Sequence, residues 1–171
     1  YRVENGLLVL GDGWEAEIAI PPEFLDVGIL SSVPAIVGGN QNVLRNIIAN
    51  WGNKVGRNLS LEGYSTHFSA YCSDVDLDLL CSIYAQTMAP AMMLLSDLKR
   101  SPGLLVRPRE RRFEVGCEYI PPTQHLTSAS TFFIGSFLAV WEALSNGNLS
   151  SIPVWFDEKS IERPLQRYGY Y

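Results

Sequence analysis

The sequence has few of the residues that build disulfide frameworks or zinc sites. Its 171 residues include three cysteines and two histidines, and Cys72, Cys81 and Cys117 show no CxxC spacing. An odd number of scattered cysteines excludes a disulfide framework and the common zinc signatures. Because all three lie among apolar residues, we expect buried thiols in a reducing, cytoplasmic compartment.

Extended basic runs and long apolar runs are also lacking. The formal net charge is −5, and arginines gather only at residues 107–112, which argues against a nucleic-acid partner. This arginine cluster either binds phosphate or is a solvated turn. The longest apolar run, residues 132–141, is interrupted by Gly135 and Ser136. It falls well below the ~20 residues that cross a bilayer, so we expect no membrane partner.

The chain contains none of the local signatures of common enzyme classes, namely GxSxG, HExxH, GxxxxGK[ST] and GxGxxG. It is 47% apolar and 18% charged, which is enough for a packed core. The length predicts a single domain over residues 1–171. Because the chain begins at Tyr1 rather than Met, we expect it to be a piece of a longer protein or one part of a larger catalytic unit.

Three stretches alternate in the way that strands do, at residues 14–20, 66–71 and 112–119. The turn residues 11–13 separate the first stretch from a strand-like run at residues 7–9, which predicts a β-hairpin. Residues two apart on a strand share a face. Glu15 and Glu17 therefore oppose apolar residues on the first stretch, and His67 does so on the second. On the third stretch, Arg112 and Glu114 oppose Phe113 and its apolar neighbours. If these strands share a sheet, one face carries the ionisable groups and the other packs on helices.

Helical periodicity appears in three further segments. Apolar residues at 43–51 predict a helix that ends at Gly52. A second helix is expected to start at Ser73 and to kink or split at Pro90. A long helix is expected over residues 129–144, with His125 in the preceding loop. The order of elements predicts an α+β fold with a mostly antiparallel sheet, one polar face and helices packed on the other.

The ionisable side chains suggest metal and anion chemistry. Glu15 and Glu17 offer the hard oxygen ligands that Mg²⁺ prefers, and the alternative is a solvated strand face. His67 can bind a metal or contact a phosphate, or it satisfies a local hydrogen bond. Glu114 beside Arg112 is either a metal ligand next to an anion-binding guanidinium or an ordinary ion pair.

The order of these segments resembles one superfamily, that of the glutamate–cysteine ligases and glutamine synthetases. The matching segments, in chain order, are Ala16-Glu17-Ile18-Ala19-Ile20-Pro21-Pro22, Gly63-Tyr64-Ser65-Thr66-His67-Phe68, Met88-Ala89-Pro90-Ala91, Arg107 and Arg112-Phe113-Glu114-Val115. The helix from Ser128 to Leu144 follows them. The resemblance covers about residues 5 to 145 and consists of short, ordered motifs.

The resemblance implies a glutamine-synthetase-like fold and an ATP- and Mg²⁺-dependent carboxylate–amine ligase, which forms an amide through an acyl phosphate. Its substrates would be a small carboxylate and an amine. The implied metal ligands are Glu15, Glu17, His67 and Glu114. His67 and Arg107 would contact the nucleotide, and Arg107 and Arg112 would act on the phosphate or the substrate carboxylate. Self-association or a partner chain is also expected.

The sequence departs from the pattern of the superfamily, whose members usually also have an earlier strand that bears a Glu-x-Glu pair. An arginine usually follows two residues after the equivalent of Glu114, where this chain has Gly116, and the chain is short for the superfamily. These departures favour the alternative, a non-catalytic binding or assembly domain that keeps the ligase-like fold. A small metal-binding hydrolase that uses the same polar face is a third, weaker possibility.

Overall fold

The computed structural model describes residues 8–12, 15–96 and 104–152, together with the backbone of 169–170. The elements, in chain order, are β1 (Leu8–Asp12), β2 (Glu15–Ala19), α1 (Ile29–Val55), β3 (Ser65–Tyr71), α2 (Leu77–Thr87), α3 (Ala89–Ser96), β4 (Leu105–Arg109), β5 (Arg112–Glu118), α4 (Gln124–Ser145) and β6 (Gly169–Tyr170). The predicted α+β class is confirmed. The chain divides into two compact units, one of described residues up to 63 with 121–127, the other of residues 64–120 with those from 128 onward.

The first unit contains a β-hairpin. Strands β1 and β2 pair antiparallel with Leu8 opposite Ala19 and Asp12 opposite Glu15, as the alternating sequence predicts. The pair forms a two-stranded sheet of its own. The strands therefore do not all share one sheet, and that expectation is wrong for Glu15 and Glu17.

Helix α1 is the long helix of this unit. The helix continues past Gly52, where the sequence predicts its end. Gly52 is buried, and glycine is needed there because a side chain would collide with its neighbours. A Cβ atom there would lie 2.6 Å from the backbone oxygen of Arg57. The helix ends one turn later at Gly56, whose φ of 65° is the left-handed conformation that favours glycine at a helix C-terminus.

The second unit is built on a four-stranded antiparallel sheet of order β3-β5-β4-β6. Its apolar face carries Phe113 and Val115 from β5, both fully buried. Phe113 packs against Tyr84 of α2 with ring centroids 4.8 Å apart and stacks on Phe133 of α4 at 6.0 Å. Each such fully buried side chain contributes about 1.5–3 kcal/mol, so this layer is the core of the unit.

Helices α2 and α3 form a bent pair above this core. Asp76 caps α2 by accepting hydrogen bonds from the backbone N–H groups of Asp78 and Leu79, so the helix begins later than Ser73. The predicted split is confirmed. Pro90 falls at the second position of α3, where its missing N–H costs nothing. No single helix in the described residues is long and apolar enough to cross a membrane, although α2 and α3 meet that test as a pair bent by 64°.

Helix α4 starts earlier than its sequence predicts. The hydroxyl of Thr123 accepts a hydrogen bond from the backbone N–H of His125 at 3.3 Å, so His125 lies in the first helical turn and not in a loop. The end of the helix agrees with the prediction. Gly147 has a φ of 63°, and its backbone N–H donates to the oxygen of Leu144.

Candidate functional site

Strands β3, β5 and β4 bring one polar face together in the second unit. Glu114 of β5 lies directly between Ser69 of β3 and Arg107 of β4, and His67 lies opposite Gly116. Alternation places these residues on one face because they share the same parity along each strand. Four of the six predicted site residues are on this face, namely His67, Arg107, Arg112 and Glu114.

Glu114 is the buried centre of the polar face. It is 4% exposed, and its Oε1 lies 2.5 Å from Nε of Arg107 and 3.8 Å from Nε of Arg109. The hydroxyl of Ser69 donates to its Oε2 at 3.3 Å. The carboxylate is therefore held between a strand on either side.

The environment of Glu114 favours its charged form. Burial by itself would raise the pKa of this carboxyl, but the hydrogen bond and charge of Arg107 outweigh it, with smaller contributions from His67 and Arg109. The net result is a pKa below the ordinary value for glutamate. Glu114 is consequently a carboxylate at neutral pH, and its first role is to fix the arginine beside it.

Gly116 makes room for the imidazole of His67. A Cβ atom at position 116 would lie 2.9 Å from Cδ2 and 3.0 Å from Nε2 of His67. Any side chain there would displace the imidazole from its present position. Glycine at position 116 therefore leaves the space that the ring of His67 occupies.

Three arginines mark the end of the face at the β4–β5 turn. Arg109 and Arg112 are directly opposite each other across the hairpin, and Arg111 between them adopts the left-handed conformation with a φ of 57°. Like charges directly opposite on paired strands repel, and a left-handed non-glycine residue is strained. Both features are unfavourable for the free protein, and an anion bound between the guanidinium groups would relieve the repulsion.

Two members of this face were not selected as site residues from the sequence. Arg109 and Ser69 each contact Glu114 or approach it, although neither was assigned a role. A usable signal was present, since Arg109 follows Arg107 by two residues and Ser69 follows His67 by two. Same-face spacing on the flanking strands would have identified both.

Glu15 and Glu17 do not belong to the sheet that carries the polar face. They belong to β2, in the separate two-stranded sheet of the first unit, and both are exposed. Across the described ranges, no three side chains of the types His, Cys, Asp or Glu come together as metal ligands. The predicted Mg²⁺ ligation by Glu15, Glu17, His67 and Glu114 therefore stays a prediction.

A shallow pocket of about 510 Å³ lies at the start of α1 in the first unit. Its lining includes Glu23, Asp26 and Ser31, and none of the predicted site residues. The pocket surrounds the first turn of a helix. It therefore adds nothing to the site on the polar face.

Compared with models of known protein families, with curated proteins and with solved structures, the chain matches none of them.

Proposed function

We propose that the polar face of the second unit binds the phosphate and carboxylate groups of small molecules, and that the chain is an ATP-dependent carboxylate–amine ligase or part of one. The observation that carries the proposal is the ion pair of buried Glu114 with half-buried Arg107, with Nε of Arg109 3.8 Å from Glu114 and His67 close enough to lower its pKa. One buried carboxylate set among several cationic or polar donors leaves a surplus of positive charge. Such a surface suits a phosphate.

The reaction follows from the ligase resemblance. A substrate carboxylate oxygen attacks the γ-phosphorus of ATP, the bond to the β-phosphate oxygen breaks, and ADP leaves. The amine then attacks the acyl carbon, phosphate departs with the bonding electron pair, and the amine proton passes to solvent or base. Arg107 and Arg112 would stabilise the charge on the phosphoryl oxygens. His67 would orient the phosphate through a ring N–H.

In this proposal Glu114 positions Arg107, and its partners argue against a second role as a metal ligand. Both of its oxygens already have partners, Arg107 on one and Ser69 on the other. A buried carboxylate that is neutralised in this way is a poor additional ligand for a cation. Mg²⁺, when it is bound with the nucleotide, would neutralise phosphate charge, and the residues of this face would bind the remaining phosphate oxygens.

The proposal also includes a glutamine-synthetase-like fold, a cytoplasmic location and a set of partners. An antiparallel sheet with helices on its apolar face supports a glutamine-synthetase-like arrangement. The three cysteines are free and buried, which favours the reducing cytoplasm. The partners would be small carboxylate and amine substrates and a second chain, without nucleic acid or membrane.

Titration with Mg²⁺ and ATP tests the binding step. At a hundredfold excess over Kd, a bound nucleotide adds about 2.7 kcal/mol to the free energy of unfolding, which a thermal melt detects readily. Arg112→Gln should weaken the affinity about tenfold, because it removes a charge-assisted hydrogen bond. Arg57→Gln changes an exposed arginine of the first unit and is the matched control, expected to bind like wild type. Absence of any shift in the wild-type melt would contradict the proposal.

Phosphate release tests the chemical step. Incubation with ATP and a panel of acids and amines should release phosphate only when both substrates are present, and mass spectrometry should find the amide. Arg107→Gln should abolish release. Release of phosphate without an acid or an amine would indicate simple hydrolysis and would contradict amide formation.

A second candidate is a non-catalytic domain that binds an anion or assembles with another chain. The carboxylate of Glu114, which already accepts a hydrogen bond on each oxygen, and the glycine at position 116 favour it. This candidate predicts that inorganic phosphate or ATP stabilises the fold to a similar degree with and without Mg²⁺. It also predicts that no combination of acid and amine yields a product.

A further inference from the structure

The outer edge of strand β3 has no partner strand in the part of the chain that the structure describes, where β3 pairs only with β5. The backbone N–H of Cys72 donates to Arg111, and the backbone oxygen of Tyr64 accepts from Tyr119, so these even-numbered positions face β5. Backbone groups alternate along an antiparallel strand. Those facing away from β5 therefore belong to Ser65, His67, Ser69 and Tyr71.

This edge lacks the features that normally prevent strands from pairing between molecules. Exposed edges usually carry lysine, proline or a bulge. Strand β3 contains no aspartate, glutamate, lysine or proline. Its seven residues pair one to one with β5, without a bulge. On the other side of the sheet, β4 contains Pro108 and also pairs with β6. Within the residues that the structure describes, β3 is thus an outer strand without these protective features.

The apolar side chains of β3 are only partly covered. Thr66, Phe68 and Ala70 are half-buried, whereas their neighbours Val115 and Phe113 on β5 are fully buried. Phe68 stacks on Phe133 with ring centroids 5.3 Å apart, yet the residue is not fully buried. One more strand beyond β3 would complete the cover over this end of the core.

We infer that the missing strand is β3 of a second copy of this chain, paired antiparallel about a two-fold axis that passes beside Phe68. This register uses all seven residues of β3. It places Ser65 opposite Tyr71, Thr66 opposite Ala70 and His67 opposite Ser69, with Phe68 opposite itself. The two sheets then form one continuous sheet through the dimer.

The strand is complementary to itself in this register. The outward backbone groups of the four odd-numbered residues meet those of the second copy, and about eight hydrogen bonds form. The apolar pairs fall on the core face and the polar pairs on the site face, because the register keeps parity. No carboxylate or lysine of β3 meets a like charge. A neutral, regular strand is suited to pair with its own copy.

The pairing extends the candidate site across the interface. Ser69 of the second copy lies beside His67, and the two polar faces, each with its own Glu114 and Arg107, become one surface. This inference does not depend on the proposed ligase activity, since it uses only the edge and the register. A dimer without ATP binding, or ATP binding without a dimer, would separate the two proposals.

Backbone pairing is tested by sedimentation of the full chain across a range of concentrations. Tyr71→Pro removes an outward N–H from each copy without breaking a bond to β5, and should raise the dimer Kd about tenfold to a hundredfold. Tyr71→Ala removes the exposed side chain and keeps the N–H, so it should sediment like wild type. A monomeric wild-type chain, or a dimer equally unaffected by both variants, would overturn the inference.

Disulfide trapping tests the register. Phe68→Cys places two thiols opposite each other, about 4.5 Å apart between Cα atoms, within reach of a disulfide. Tyr71→Cys is the control, because in this register its two copies lie about 20 Å apart. Mild oxidation should link the first variant and not the second, since the native thiols are buried. Equal crosslinking of both variants, or crosslinking of Tyr71→Cys alone, would refute this register. If Phe68→Cys does not fold, the sedimentation of Tyr71→Pro and Tyr71→Ala still tests the pairing.

Discussion

The two sheets in the described part of the chain are both predicted by alternating residues, and they differ in almost every other respect. The β1–β2 sheet has two strands, and its paired carboxylates Glu15 and Glu17 are exposed. The sheet that contains β3, β5 and β4 buries Glu114 between two strands and packs its other face on helices. Alternation therefore predicts that a strand exists, but the number of flanking strands decides whether its polar residues meet partners.

The comparison shows why a glutamate behaves differently on the two sheets. A glutamate on a two-stranded ribbon remains in water, where its charge costs nothing and an ion pair contributes about 0–1 kcal/mol. A glutamate on a central strand has neighbours on both sides, so its desolvation must be compensated by fixed donors. Only the second arrangement orders an arginine, which is the first requirement of a site for anions.

The largest contrast is expected from removing the buried carboxylate. Glu114→Ala should lower the free energy of unfolding by about 3 kcal/mol, because it leaves Arg107 without its partner in a mostly buried place. Urea unfolding measures the loss. Glu110→Ala changes an exposed glutamate in the adjacent turn and should cost less than about 0.5 kcal/mol. Equal losses would show that the pair contributes no more than a surface charge.

A smaller contrast is expected between two strand glycines. Gly116→Val places a branched side chain against His67 and Leu105 and should cost about 2 kcal/mol through overpacking. Gly11→Val meets nothing within 4 Å in the two-stranded sheet, so it should be neutral or slightly stabilising. Thermal melts compare the two variants. Adding His67→Ala to Gly116→Val should recover part of the loss, and failure to recover any would mean that the imidazole is not the obstacle.

The pH dependence of stability should report the contribution of ionised Glu114 to the free energy of unfolding. The pKa of Glu114 is lowered in the folded protein, so its stabilising contribution is complete above the ordinary value of 4.5 and is lost as the pH falls through the lower folded value. The stability advantage of wild type over Glu114→Gln should be constant near neutral pH and should shrink below about pH 4.5. An advantage that grows on acidification would contradict the sign of this linkage.

The smallest effect belongs to the acidic pair of the first unit. Replacing Glu15 and Glu17 together by glutamine should change the free energy of unfolding by less than about 0.5 kcal/mol, since both side chains are exposed. The measurement is the same urea titration, repeated with added Mg²⁺. If Mg²⁺ stabilises wild type and not this variant, the two glutamates bind the metal, and the contrast between the sheets becomes one of function.

The sequence predicted most strands because alternation and turn residues are local. The hairpin, the strand that contains His67 and the split at Pro90 all follow from residues within a few positions of each other. The helix ends were less predictable. Gly52 is a packing glycine and not a terminator, and the contact with Arg57 that explains it exists only after folding.

The site was predictable in composition and not in arrangement. Parity along the strand correctly placed Arg112 on the same face as Glu114. Which strands become neighbours is decided by long-range packing, so the sequence could not show that Arg107 lies opposite Glu114 or that Glu17 lies in another sheet. The stacking of His67 over Gly116 was equally invisible before the register was known.

The placement of the cysteines has a practical consequence for kinetic work. All three lie in the second unit, none is more than 6% exposed, and burial raises the pKa of Cys117 to about 11. An alkylating reagent should therefore modify these thiols only while that unit is unfolded locally or globally. The rate of modification then measures the rate at which the unit unfolds. A reporter dye attached through a cysteine introduced at position 17 would follow the other unit in the same sample.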